Sequence, residues 1–122
     1  MTRRVNLSSD SAYEPVVGYC RAVRTGGFIA VSGTAGAGDG IAEQTRNALR
    51  RIENALRELG SSPADVVRIR MFVTDISRWR EIGAVHAEFF GDIRPAATMV
   101  EVSALIEPEL MIEIEADAYV AE

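Results

Sequence analysis

Ile112-Glu113-Ile114-Glu115-Ala116-Asp117-Ala118 alternates apolar and acidic residues without a break. That two-residue period is the mark of a strand with one face turned to a core. The isoleucines and alanines take the inner face, and Glu113, Glu115 and Asp117 emerge together on the other. A lone strand of this kind is unstable, so the rest of the chain must supply its sheet. Leu110–Val120 is its extended reading, and Ala97–Ser103 is a second strand before it, with Pro108 in the connection. Upstream, Val66–Val73 alternates as well: Val67, Ile69, Met71 and Val73 share one face, and Val66, Arg68, Arg70 and Phe72 the other. Tyr19–Arg24 and Phe28–Ser32 flank Thr25-Gly26-Gly27, which reads as a hairpin turn.

Two helices separate these strands. Thr45, Ala48, Leu49, Ile52, Ala55, Leu56 and Leu59 form one apolar stripe over Ile41–Leu59, with Gly60 placed to end the helix. Ser61-Ser62-Pro63 is a turn. Asp75-Ile76-Ser77 offers capping groups for a helix over Arg78–Phe90, whose inner stripe is Trp79, Ile82, Val85, His86 and Phe89 and whose stop is Gly91. This order predicts one α+β domain over residues 1–122, with both helices packed on one face of a sheet of about five strands. Residues 1–12 carry no element signal and are expected to pack loosely. The uncovered sheet face mixes Phe72 with Arg68 and Arg70. Such a face suits a subunit contact or a lined cleft, or else a solvent face with stray apolar residues.

The 122 residues fit one core, and 48% apolar with 25% charged residues is ordinary for a globular chain. A net charge of −5 argues against nucleic acid as the main partner, because phosphate contacts need a basic face. No apolar run reaches the ~20 residues of a membrane span, and Met1-Thr2-Arg3-Arg4 leads into polar sequence, not a signal core. The single Cys20 cannot form an intrachain disulfide, so a cytoplasmic location is expected.

Taken alone, the Glu113, Glu115 and Asp117 alternation reads as a solvated face; in a partly dry cleft, one of these carboxylates would hold or shuttle a proton. No histidine or cysteine stands beside them at ligand spacing, which argues against a metal site. His86 reads as a core histidine, and Cys20 has no activating neighbour in sequence. Gly33–Gly40 is glycine-rich between a strand and a helix, yet it lacks the Gly-Lys-Ser/Thr of a phosphate loop.

Several pieces then fall in a known order. Gly26-Gly27-Phe28-Ile29-Ala30-Val31-Ser32-Gly33 comes first, followed by Gln44-Thr45-Arg46-Asn47-Ala48-Leu49 and Phe72-Val73-Thr74-Asp75-Ile76. Phe89-Phe90, Arg94-Pro95-Ala96 and Glu113-Ile114-Glu115-Ala116 complete it. From about Tyr19 to Tyr119 the chain resembles the Rid (YjgF, RidA-like) family. The resemblance implies a chorismate-mutase-like α+β fold with a mixed sheet, assembled as a homotrimer with small-molecule clefts between subunits. It implies no metal or cofactor, and an activity that hydrolyses enamines and imines to ammonia and a 2-keto acid.

By the same resemblance, Tyr19 is the cleft tyrosine, Ser32 the strand serine, and Glu115 the cleft glutamate that serves as general acid/base. Thr98 matches the hydroxyl residue after the arginine, and Met99, on the strand face of Ala97, completes the expected lining. Two positions depart from the pattern. The carboxylate-clamping arginine is replaced by Ala97, and a helix asparagine falls at Gly83. A charge-assisted hydrogen bond is worth ~1.5–3 kcal/mol, so losing the clamp should weaken handling of a carboxylate substrate by roughly ten- to a hundredfold. The expectation is a poor 2-iminoacid deaminase acting on a C=N substrate without a free carboxylate. The alternatives are a true imine deaminase with Arg94 or Arg70 as clamp, and a non-catalytic ligand-binding or regulatory protein.

Overall fold

In the computed structural model, which describes residues 3–121, β1 (Arg4–Leu7), β2 (Ala22–Thr25) and β3 (Phe28–Thr34) form an antiparallel run. β4 (Val66–Val73), β5 (Ala96–Glu101) and β6 (Ile112–Tyr119) complete one six-stranded sheet in the order β1-β2-β3-β6-β4-β5. The sheet is mixed: β4 and β5 run parallel and every other pair is antiparallel. Parallel neighbours need a long crossover, which α3 (Trp79–Phe90) supplies between them. The closing strand β6 thus lies in mid-sheet, hydrogen-bonded to β3 on one side and β4 on the other.

α2 (Ile41–Glu58) and α3 cover one face. Ile112, Ile114, Ala116 and Ala118 of β6 are buried beneath them with Ile29, Val31, Ile69 and Val73, and the whole expected α2 stripe is buried against them. Each fully buried aliphatic side chain in this layer contributes about 1.5–3 kcal/mol by leaving water. α2 ends where Gly60 enters the left-handed region at φ 82°, which a side chain would oppose. No helix among the described residues is long and apolar enough to cross a membrane.

Several boundaries differ from the sequence reading. Arg4–Leu7 is a sixth, edge strand, mostly exposed, with Leu7 leaning on the core; four residues are too few to show a period. Tyr19 precedes its expected strand, because a short helix α1 (Tyr13–Val17) and a left-handed Gly18 turn the chain just before it. Val66, not Val67, enters the core: a register shift between Val66 and Arg68 leaves Val67 52% exposed. Trp79 is 48% exposed at the start of α3, while Phe90 takes the buried place at its other end. Gly91 keeps helical angles, and the left-handed residue is Arg94 at φ 55°, whose N–H donates to the Phe90 carbonyl.

Candidate functional site

A second register shift, in β3 between Val31 and Thr34, builds the site. An extra residue in one strand bends it and re-aims its side chains. Thr34 turns inward and is fully buried, and the strand backbone at Gly33 comes against Glu113 of β6. A Cβ on Gly33 would stand 2.6 Å from Glu113 Oε2, so only glycine leaves room for that carboxylate. Arg21 holds the bulge from the segment just before β2: its Nη1 donates to the Gly33 carbonyl (2.9 Å) and to Thr34 Oγ1 (2.8 Å).

Behind Arg21 stands Glu14 of α1. It is buried and accepts from the Ser9 backbone N–H (3.0 Å) and from the Ser9 hydroxyl. Burial would raise its pKa, yet these hydrogen bonds and the Arg21 charge hold it below the ordinary carboxylate value. Its own distance to Arg21 Nε is a long 3.9 Å.

Arg21, Gly33 and Glu113 line a cleft of about 1000 Å³, together with Tyr13, Tyr19, Arg51 and the segment 103–111. That segment is tied down by Gln44 of α2. The Gln44 amide donates to Glu109 O (3.1 Å) and accepts from the Met111 N–H (2.8 Å). Across the mouth the Tyr13 hydroxyl donates to Glu107 (3.0 Å), a bond that raises the phenol's pKa. Glu113 is half-buried here, and burial lifts its pKa; Arg21 pulls it down and Glu115 adds to the rise. A carboxyl that keeps its proton more readily than usual, on the wall of a cleft, suits proton transfer.

The anticipated site residues separate into groups. Tyr19 lines this cleft and also a smaller one of about 460 Å³, whose lining includes Ser32, Cys20 and Arg4. The Ser32 hydroxyl is already committed, donating to the Cys20 carbonyl at 2.7 Å. Glu115, expected as the cleft glutamate, lies opposite Arg70 in the β4–β6 register instead. Arg70 Nη1 reaches Glu115 Oε1 and Asp117 Oδ2, both at 3.2 Å, on the open sheet face. Those groups are too exposed for the pairs to be worth more than about 1 kcal/mol each.

On β5, Thr98 faces with Arg70, whereas Ala97 aligns with Ile69 and Met99 with Met71 on the helix side. Ala97 and Met99 therefore point away from the face of Glu115. With β4 and β6 between β5 and β3, none of Ala97, Thr98 and Met99 lines either cleft among the described residues. Arg94 precedes β5 and is exposed. Arg21, which the sequence reading passed over, and Glu113, which it grouped with Glu115 and Asp117 but did not assign to the site, are the ones the fold brings together. The signal for Arg21 was a charged residue set against Ala22 at a strand start; Glu113 was the first member of the acidic alternation.

Comparison with known proteins places the chain. Residues 9–120 match the family model described as endoribonuclease L-PSP. The chain belongs to the YjgF/RidA family. A crystal structure of Rv2704 from Mycobacterium tuberculosis, described as a member of the highly conserved YjgF/YER057c/UK114 family, is 63% identical. It superposes with a TM-score of 0.95, covering 97% of this chain and 100% of that one. A RutC family protein of Pyrococcus abyssi is 34% identical, over 93% of this chain and 94% of its own length. The 3-aminoacrylate deaminase RutC of Acinetobacter baylyi is 38% identical over 79 residues, 65% of this chain and 62% of its own length. The mixed sheet with helices on one face is thus the YjgF/RidA fold.

Proposed function

We propose that this YjgF/RidA-family protein is a cofactor-independent hydrolytic deaminase of small enamines or imines, with Glu113 as general acid/base in the cleft beside Gly33. The observation that carries the reading is the half-buried Glu113 carboxyl, with its raised proton affinity, on the wall shared with Tyr19 and Arg21. The deaminase name of the Acinetobacter relative supports the reaction class. Glu115 is the poorer candidate, because Arg70 already occupies it.

The steps balance with water alone. Protonated Glu113 donates to the imine nitrogen, and the resulting carboxylate takes a proton from water as its oxygen bonds to the carbon. Glu113 then gives that proton to the amine nitrogen and takes the one on the hydroxyl, so the C–N bond breaks, ammonia leaves and a carbonyl remains. A positioned acid/base contributes about 10²–10⁴-fold to such a step. The Tyr19 hydroxyl would orient the water.

The protein works, in this reading, as a homotrimer. Ala97, Thr98 and Met99 lie too far across the sheet to reach their own cleft, so they would close the cleft of a neighbouring copy. The open sheet face carries apolar side chains such as Val100 (41% exposed) that an interface would cover. A net charge of −5 speaks against RNA as the substrate. Ammonia release from an imine generated in situ tests the activity. Glu113→Gln should lower it at least a hundredfold and Glu115→Gln far less, and imine decay that is the same with and without protein overturns the reading. Sedimentation velocity should give three times the monomer mass.

A further inference from the structure

Arg21 is 6% exposed, and its charge is met only loosely, by the Tyr19 ring 5.8 Å from its Cζ and by a distant Glu14. Of its five N–H groups, Nη1 serves the β3 bulge, and Nε is buried without any hydrogen-bond partner. Glu14, the only carboxylate in ion-pair range among the described residues, lies 3.9 Å from Nε, and Ser9 takes up its oxygens instead. Nε is sealed on the Glu14 side, but Nη2, which is not sealed, makes no hydrogen bond among the described residues and is the donor a cleft ligand would complete. Arg21 lines the cleft, on the same wall as Glu113.

We infer that Arg21 is the anion-binding residue of the cleft, holding the single carboxylate of a small substrate in place of an arginine at position 97. The inference rests on the reading of this cleft as a small-molecule site. The planar fork of a guanidinium matches a carboxylate, which leaves the single Glu113 proton for the imine nitrogen. Asp10, Asp39, Glu107 and Glu109 stand around the same cleft, outnumber its other cation, Arg51, and oppose any further negative charge. The ligand is therefore a monoanion; a phosphate ester or a dicarboxylate is disfavoured. This reverses the expectation of a substrate without a free carboxylate.

The test uses the full-length protein with pyruvate and its amide, pyruvamide, as probes in calorimetric titration. Pyruvate should bind at least tenfold more tightly than pyruvamide, and the Arg21 Nε–H signal in a nitrogen-15 NMR spectrum should shift on adding pyruvate alone. Arg21→Lys keeps the charge and loses the fork, so it should weaken pyruvate at least tenfold and lower the acid-to-amide affinity ratio. Equal affinity for acid and amide, no pyruvate binding, or undiminished binding by a folded Arg21→Lys overturns the inference. Should that variant fail to fold, the acid-to-amide ratio and the Nε–H shift of the parent protein decide. Pyruvate bound through Arg21 without ammonia release from imines defeats the deaminase reading alone. Deaminase turnover indifferent to the carboxylate defeats the anchor alone.

Discussion

Gly33→Ala should displace the Glu113 carboxylate while leaving the fold almost untouched. The new Cβ would meet Glu113 Oε2 at 2.6 Å and Cδ at 2.8 Å, where ordinary contact begins at 3.4 Å. The difference between 2.6 and 3.4 Å makes the carboxylate retreat by about 0.8 Å, and misplacements of ~1 Å in a reacting group cost roughly a hundredfold in rate. A loss of about ten- to a hundredfold in kcat/KM for ammonia release is therefore expected. Stability should change by about 1 kcal/mol or less, because the obstructing atoms end a flexible side chain and alanine is a better strand residue than glycine. One readout is independent of turnover. A carboxylate pushed out of its half-buried seat loses the desolvation that lifts its pKa, so carbon-13 NMR titration should show Glu113 moving back toward the ordinary carboxylate value. A Gly33→Ala protein with kcat/KM within about twofold of the parent and an unshifted Glu113 titration would refute the reasoning.

The second close-approach glycine should behave in the opposite way. A Cβ on Gly36 would lie 2.4 Å from Ala48 N and 2.6 Å from Gln44 O, atoms of the α2 backbone that cannot step aside. Gly36→Ala should cost about 3 kcal/mol or more in urea denaturation, and a loss under ~1 kcal/mol would contradict the geometry. Leu56→Ala, at a fully buried position in α2, should lose about 2–5 kcal/mol by the same assay. Glu113→Gln should shift stability with a definite pH sign. Below the unfolded carboxylate pKa of about 4.3 both states carry the proton and no penalty exists. As pH rises toward the raised folded value, the native state binds more protons than the unfolded one and parent stability falls. The melting-temperature advantage of Glu113→Gln should therefore open as pH rises above the unfolded carboxylate pKa of about 4.3, and an advantage that shrinks on that rise would be inconsistent with a raised Glu113. Glu14, held low by Ser9 and Arg21, runs the other way: its contribution is present above the unfolded pKa and fades as pH falls through the folded one.

Elements with a long, regular period were legible from residue order. The α2 stripe from Thr45 to Leu59 and the alternation from Ile112 to Ala118 are repeated often enough to overcome local noise, and both are buried as their periods require. Shorter or interrupted signals were not. Arg4–Leu7 shows its strand only when paired with Ala22–Thr25, and the two register shifts at Val31/Thr34 and Val66/Arg68 break the period where a pattern would be read straight through. The family resemblance was legible for the same reason as the fold, because its pieces lie in order along the chain.

The acidic strand Glu113, Glu115 and Asp117 shows where residue order stops. Its sequence determined that three carboxylates share one sheet face, since alternation follows from local backbone geometry. It could not tell them apart, because their environments come from other strands: Arg70 of β4 meets Glu115 and Asp117, while the bulged β3 brings Gly33 against Glu113 and Arg21 beside it. Burial and charge neighbours are properties of chains brought together in space. Only the tertiary structure could move the candidate acid/base from Glu115 to Glu113 and reveal an arginine with a donor to spare.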